Sequence, residues 1–303
     1  MTEILSNPRS ERVRAVHRLS GRSARRRAGR FIAEGPSCVR EAIRTAAAEE
    51  VYLTPEAAQR YPEFLGALAD HPRVRHWLVT DEVLAAMSDT VSPQGVLAVC
   101  PVPQDRIEDV LAAGPQLVVV LAHARDPGNV GTVIRAADAV GADAVILTDA
   151  SVDPFNPKCV RSTTGSIFSL PVLPGPGLGE VVAQLRTAGC TVLAADGAGE
   201  VDVDGLADLA LLRSGLAAPA GLGTAAAHQS AGEDVDLRRP TAWVFGNEAW
   251  GMSAPDRELA DAVVRVPIHG RAESLNLAMA ATVCLYASAR AQRLRPGPPS
   301  ASP

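Results

Sequence analysis

The chain has 303 residues, 47% of them hydrophobic, and a formal net charge of −5; this excludes disorder for most of it and leaves room for two domains and one sizeable core. Its five scattered cysteines form no CxxC pair and its six histidines show no HExxH-type spacing, so neither a disulfide framework nor a metal site is expected. No apolar run is long enough to span a bilayer, and the Arg-rich start lacks the apolar core of a signal peptide; the cytoplasm is the expected address.

The net charge hides an asymmetry. Residues 9–30 carry nine arginines against the single acid Glu11, and Lys158 is the one basic residue in the chain that is not arginine. A basic arm over residues 1–30 fits a polyanionic partner, or a solvated run in an Arg-rich chain. Val13, Val16 and Leu19 recur at spacings of three, which predicts helix within the arm. Pro36 then opens PSCVREAIRTA, a helix with proline in its first turn. The β-type runs VYLT, HWLVT and GVLAVC alternate with helical stretches and predict a small α/β unit over residues 31–103, closed by the Pro-rich PVPQD.

The second unit, residues 115–293, opens on QLVVVLAHA, a continuous apolar run of the kind buried on both faces of a parallel sheet. A Pro127-Gly128-Asn129 turn follows, then a helix with Val130, Val133, Ile134 and Ala137 on one face, then the strand AVILT. This βαβ unit demands a parallel pair with a right-handed crossover. A polar loop over 151–166, a strand near Phe168 to Val172, a helix over 178–188 and strands over 191–195, 241–245 and 262–267 continue the alternation. The predicted class is α/β with an open, mostly parallel sheet. The Ala/Gly/Ser-rich stretch 213–239 reads as a disordered insertion, and residues 294–303 as a tail. GPGLG at 175–179 lacks the spacing and position of a dinucleotide loop.

Three stretches carry the candidate chemistry. In HARDPGNVGTVIRAAD, Arg135 lies beside the apolar stripe, where a guanidinium can clamp phosphate or stand solvated with Asp138 or Asp126 as partner. In WVFGNEAWGMS, Gly246 and Gly251 let backbone approach a ligand, and Glu248 stands at a strand's carboxyl end; a solvated turn is the ordinary alternative. In VRVPIHGRAESLNLAMAATVCLYASAR, a polar elbow leads into a helix apolar nearly all the way round, which must be covered on more than one side. Ser274 and Asn276 at its start either meet a ligand or cap the helix.

Taken together, NVGTVIRAADAVGADAVIL, FGNEAWGMS and VPIHGRAESLNLAMAATVCLYA resemble, in order and spacing, the SpoU (TrmH-like) family of RNA ribose 2′-O-methyltransferases over residues 117–293. Upstream, FIAEGPSCVREAI and DTVSPQGVLAV look like the substrate-binding domain that precedes the catalytic domain in many members. The resemblance implies a carboxyl-terminal trefoil knot, a homodimer and S-adenosylmethionine as cofactor, with contacts at Gly246, Val266, Ile268 and Leu275. It implies that Arg135 stands at the 2′-hydroxyl as base or phosphate clamp, with Asn129, Glu248, Ser274 and Asn276 orienting it and the ribose. Lys158 and Arg161, with Arg25 and Arg26 of the arm, are the expected RNA contacts. The expected activity is methyl transfer to ribosomal RNA, with no membrane and no metal involved. Its rivals are a tRNA methyltransferase, an RNA-binding protein of the same fold that lost the reaction, and a nicotinamide-dependent oxidoreductase.

Overall fold

The computed structural model describes residues 4–215 and 234–294. In chain order the elements are α1 (Glu11–Arg18), α2 (Arg22–Ala28), β1 (Arg30–Glu34), α3 (Pro36–Arg44), β2 (Glu50–Leu53), α4 (Pro55–Arg60), α5 (Glu63–Asp70), β3 (Arg75–Leu78), α6 (Asp81–Met87) and β4 (Val96–Pro101). There follow α7 (Ile107–Ala112), β5 (Leu117–Leu121), α8 (Pro127–Val140), β6 (Ala144–Leu147), α9 (Pro157–Ser162), β7 (Val172–Pro174), α10 (Leu178–Thr187) and β8 (Thr191–Ala195). The last are β9 (Val201–Asp202), α11 (Val203–Arg213), β10 (Thr241–Phe245), α12 (Ala254–Glu258), β11 (Ala262–Arg265) and α13 (Leu277–Arg293). They form two compact units that interleave along the chain: Met1–Gln104, Pro127–Arg135 and Val152–Pro171 make the first, and Asp105–Asp126, Ala136–Ser151 and Val172–Pro303 the second.

The first unit is built on a four-stranded sheet in the order β1-β4-β2-β3, with β2 and β3 parallel and the other pairs antiparallel. Thr54 and Thr80 cap α4 and α6 by accepting the N–H of Ala57 and Val83, which satisfies donors that a helix start leaves open. The basic arm is not a loose extension. Val13, Val16 and Leu19, the three residues whose spacing predicted a helix, are buried against Ile32, Tyr52, Val83 and Val99. Burial of three apolar side chains is worth several kcal/mol, on the order of 1.5–3 each, enough to hold α1 on the sheet. Phe31-Ile32-Ala33, to which the sequence assigned no element, is the buried part of strand β1.

The stretch 151–166, expected to be a polar loop, is also folded. Asn156 accepts the N–H of Lys158 and starts α9, which packs on β1, and a 3-10 turn at Ser166–Phe168 precedes the strand expected near 168–172, which forms a few residues later as β7. The polar composition misled because its apolar members Phe155, Cys159 and Val160 face inward, as does the following Ile167, with Phe155 and Phe168 centred 5.0 and 5.9 Å from Phe31.

The second unit carries a seven-stranded, wholly parallel sheet in the order β7-β6-β5-β10-β8-β11-β9. Every residue of central β5 and β10 is buried, as expected of strands covered on both faces. On α8, Val130, Val133, Ile134 and Ala137 are fully buried, the four residues of the apolar stripe. The helix α13 packs on β10, β5 and β8. Its buried face is mostly small residues, Ala278, Ala281, Cys284, Ser288, Ala289 and Ala291, with Leu285 the one large side chain among them, so much of the backbone approaches the sheet closely, and the indole N–H of Trp243 donates to Ser288 Oγ at 2.8 Å.

The expectation of disorder over 213–239 falls mostly on residues 216–233, outside the described residues. Its edges are folded: Val235 and Leu237 are buried, and Arg213 donates to the Val235 carbonyl while Arg238 donates to that of Arg213. These two crossed guanidinium–carbonyl bonds hold the ends of the stretch together before it enters β10. Of the expected tail, residues 295–303 also lie outside the described residues.

Candidate active site

The carboxyl ends of β8, β10 and β11 and the elbow leading into α13 enclose a cavity of about 300 Å³, at the low end of the volume range of small-molecule sites. Its walls include Asp196, Gly246, Glu248, Val266, Ile268 and Ser274, with Leu275 and Leu277 completing an apolar side. All four residues expected at the cofactor, together with Glu248 and Ser274, thus meet around one space although they come from two separate stretches of sequence.

The loop after β10 is the most constrained part of this wall. Asn247 and Gly251 exchange both backbone hydrogen bonds, at 3.0 and 2.9 Å, closing a tight turn around Glu248, Ala249 and Trp250. Gly246 has no room for a side chain, because a Cβ there would lie 2.5 Å from Met252 Cγ and 2.6 Å from the Gly251 backbone. Glycine at 246 is therefore demanded first by the loop's own closure.

Asn247, only 5% exposed, was not singled out in the sequence, yet it ties the loop to the end of β5. Its Nδ2 donates to the carbonyl of His123 at 2.8 Å and its Oδ1 accepts the N–H of Ala249 at 2.8 Å. His123 itself takes φ +58°, a left-handed conformation that costs free energy in a residue with a Cβ and must be held by its surroundings. Glu248 does the complementary job. Its Oε2 accepts the N–H of Arg125 and its Oε1 that of Asp126, each at 3.2 Å, so the carboxylate pins the loop that runs from β5 into α8. That makes Glu248 a positioning residue for this loop as well as part of the cavity wall.

Asp196 was also missed. It follows β8 directly, lines the cavity, and accepts the N–H of Ala198 at 2.9 Å and of Met252 at 3.3 Å. The available signal was positional, an acid immediately after the buried strand TVLAA at the edge where open α/β sheets bind ligands.

Asn276 takes the alternative that the sequence left open: its side chain caps α13 by accepting the N–H of Ala278 at 2.9 Å, and it is not among the residues lining the cavity. Asn129 and Arg135 lie on α8 within the first unit; Arg135 is exposed. Gly131, between them, has no space for a Cβ, which would meet the Cys159 carbonyl at 2.5 Å, so α8 and α9 are in near-backbone contact there.

Two of the four expected RNA contacts are engaged elsewhere. Arg25 is 2% exposed; it pairs with Asp153 at 2.6 Å and donates to the carbonyls of Leu19 and Ser20. A guanidinium so enclosed has no face left for a phosphate, and the expectation for Arg25 is corrected on that ground. Arg161 pairs at 2.6 Å with Glu34, a carboxylate 5% exposed that also accepts from Ser88 Oγ and the N–H of Asp89. Its first task is to neutralise a buried charge. Arg26 and Lys158 are exposed.

Known proteins bear on this geometry. Residues 116–286 match the model of the SpoU rRNA Methylase family, and residues 10–98 that of the MRM3-like substrate binding domain. The 23S rRNA (guanosine(2553)-2′-O)-methyltransferase RlmP of Bacillus subtilis is 28% identical, over 93% of this chain and 97% of its own length. The 23S rRNA (uridine(2479)-2′-O)-methyltransferase of Streptomyces viridochromogenes is 29% identical, over 94% of this chain and 96% of its own. Among solved structures, the AdoMet-bound rRNA methyltransferase from Sinorhizobium meliloti superposes with a TM-score of 0.74 at 26% identity, covering 95% of this chain and 98% of that one. With more than half its length under one family model, and with the parallel sheet and the three loop stretches that the sequence singled out, the chain belongs to the SpoU rRNA methylase family.

Proposed function

We propose that this SpoU-family methylase transfers a methyl group from S-adenosylmethionine to a ribose 2′-hydroxyl of ribosomal RNA, with the cofactor held in the cavity at the ends of β8, β10 and β11. The observation that carries the reading is the convergence of Gly246, Val266, Ile268 and Leu275 on that single space. The donor set suits the cofactor: Val266, Ile268, Leu275 and Leu277 offer apolar surface to a flat base, while the carboxylates of Asp196, Glu248 and Glu273 on the same wall complement a cationic group. When bound, the cofactor supplies an electrophilic methyl.

The chain's own residues align the acceptor. The planar guanidinium fork of Arg135 is suited to grip the phosphate beside the target ribose; holding the hydroxyl in line supplies much of the rate. Asn129 orients that arginine, Ser274 orients the ribose, Glu248 fixes the loop before α8, and Asn276 fixes the start of α13. Arg26 and Lys158 contact the RNA backbone.

A homodimer belongs to the same proposal. Met279, Val283 and Tyr286 form an apolar stripe on α13, exposed by 56%, 39% and 51% in the single chain, and a surface of that kind calls for a partner. So does a knotted carboxyl end, supported by the return of the chain from β11, next to the sheet's edge, through the 266–276 elbow to α13 over the central strands. No helix among the described residues is long and apolar enough to cross a membrane.

The test is transfer of tritiated methyl from S-adenosylmethionine to rRNA isolated from a strain lacking the protein. Wild type should label 23S rRNA at a ribose, and Arg135→Ala should lose at least a hundredfold in turnover, on the order of a lost charge-stabilising group, with cofactor affinity unchanged. Label appearing in tRNA alone, or none in any RNA, would overturn the proposal.

A further inference from the structure

The loop that closes one side of the cavity also holds a large aromatic side chain out into solvent. Trp250 is 57% exposed, and a tryptophan left that far out of any core has lost most of the burial that usually holds such a residue. It is not free to fold away. The turn carrying it is closed by the paired backbone bonds of Asn247 and Gly251, anchored to β5 through Asn247 and His123, and braced by Glu248 on Arg125 and Asp126. Over the indole sits the guanidinium of Arg125, its central carbon 5.0 Å from the ring centroid. Arg125 is exposed too, so the pair presents a charged plane and an aromatic plane side by side, on a rigid mount next to Glu248 and Ala249 of the cavity wall.

We propose that Trp250, backed by Arg125, is a stacking platform for a base of the substrate RNA, the target base or its immediate neighbour. A ribose hydroxyl reaches a methyl donor deep in a protein cleft most readily when its nucleotide is splayed out of the stack, and unstacking costs a few kcal/mol that a protein aromatic recovers. Every base has a π-face, so an indole accepts any of them, and single-stranded or splayed RNA is held in this way on aromatic and arginine planes. The guanidinium adds attraction to the phosphates on either side. The pair therefore contributes to RNA affinity at the reacting nucleotide, with the cofactor bound independently of it. This inference rests on the methyltransferase reading of the neighbouring cavity.

The experiment compares wild type, Trp250→Ala and Trp250→Phe in methyl transfer to 23S rRNA, with cofactor affinity measured by calorimetry and mass in solution by light scattering. The expected result is a KM for RNA raised roughly tenfold in Trp250→Ala, the scale of one stacked base, with unchanged S-adenosylmethionine affinity and most of the loss restored in Trp250→Phe. An unchanged KM, or a parallel loss of cofactor affinity, or a change of mass marking Trp250 as a contact between copies, would overturn it. A second arm separates this failure from failure of the activity itself. In a Trp77→Phe background, where the other remaining indole is the fully buried Trp243, a mixed-sequence single-stranded RNA of about ten nucleotides, a length within the usual single-strand site sizes, should quench the fluorescence, the quench should be lost in Trp250→Phe, and Arg125→Ala should weaken it. Absent methyl transfer with a normal quench would sink the activity and leave the platform standing; absent quenching would sink the platform.

Discussion

Glu248 accepts the backbone N–H of Asp126 on one carboxylate oxygen and that of Arg125 on the other, at 3.2 Å each. Both oxygens are committed as acceptors, so the amide of glutamine cannot replace the carboxylate: its NH₂ would face an N–H. Glu248→Gln should therefore behave much like Glu248→Ala, each lowering stability by about 1–3 kcal/mol and lowering methyl transfer through misplacement of the β5–α8 loop. Thermal unfolding and transfer assays on both variants check this. A fully active, fully stable Gln variant would mean the two bonds do not matter.

Gly246→Ala would force a Cβ into Met252 and the Gly251 backbone. The loop must open to accept it, at a cost of about 1–3 kcal/mol for overpacking, and the cavity wall moves with it. Cofactor affinity measured by calorimetry should fall at least tenfold; wild-type affinity would show that the wall tolerates the shift.

Arg161 and Arg26 were expected to share a role, and the structure separates them. Arg161→Ala leaves the buried Glu34 carboxylate without its cation, and because Arg161 is 37% exposed the loss is discounted for solvent screening to about 1–3 kcal/mol. Arg26→Ala, on the surface, should leave the unfolding midpoint unchanged and weaken RNA binding with a reduced salt slope. Urea titration and filter binding at two salt concentrations distinguish the two, and identical behaviour would refute the separation.

A charge on the exposed stripe of α13 should disrupt the proposed dimer. Val283→Asp is expected to halve the mass in light scattering while leaving the far-ultraviolet circular dichroism of the chain intact. A wild-type mass in the variant, or a monomeric wild type, would remove the stripe from any interface.

Burial pushes the thiols of Cys38 and Cys190 up from 9.0 to about 11, and that of Cys284 to about 12. Desolvation disfavours the thiolate in the fold, so above the unfolded value the native state keeps protons that the unfolded chain has released. The stability held by these thiols is complete below about pH 9 and falls as pH rises through the folded values. Urea unfolding between about pH 8 and pH 10.5 should show the decline, flattened in Cys38→Ala; a pH-independent midpoint in wild type would contradict the burial.

The sequence alone determined the second unit's parallel sheet, because LVVVL, AVIL, TVLAA and TAWVF are short apolar runs separated by turns and helical periods, a pattern with few alternatives. The stripe on α8 and the capping role open to Asn276 were legible for the same reason: local spacing decides them. Glu248 could be picked out as an acid at a strand's end, but the two N–H groups it holds are more than a hundred residues away in the chain, and no local pattern reports that. Arg25 and Arg26 look alike in an Arg-rich run, and which of them faces inward depended on Asp153, brought to Arg25 across a separation of 128 residues. The tertiary structure also decided that α1, α9 and the strand FIA belong to one packed unit, because burial is a property of what arrives from elsewhere in the chain, and polar composition between apolar anchors conceals it.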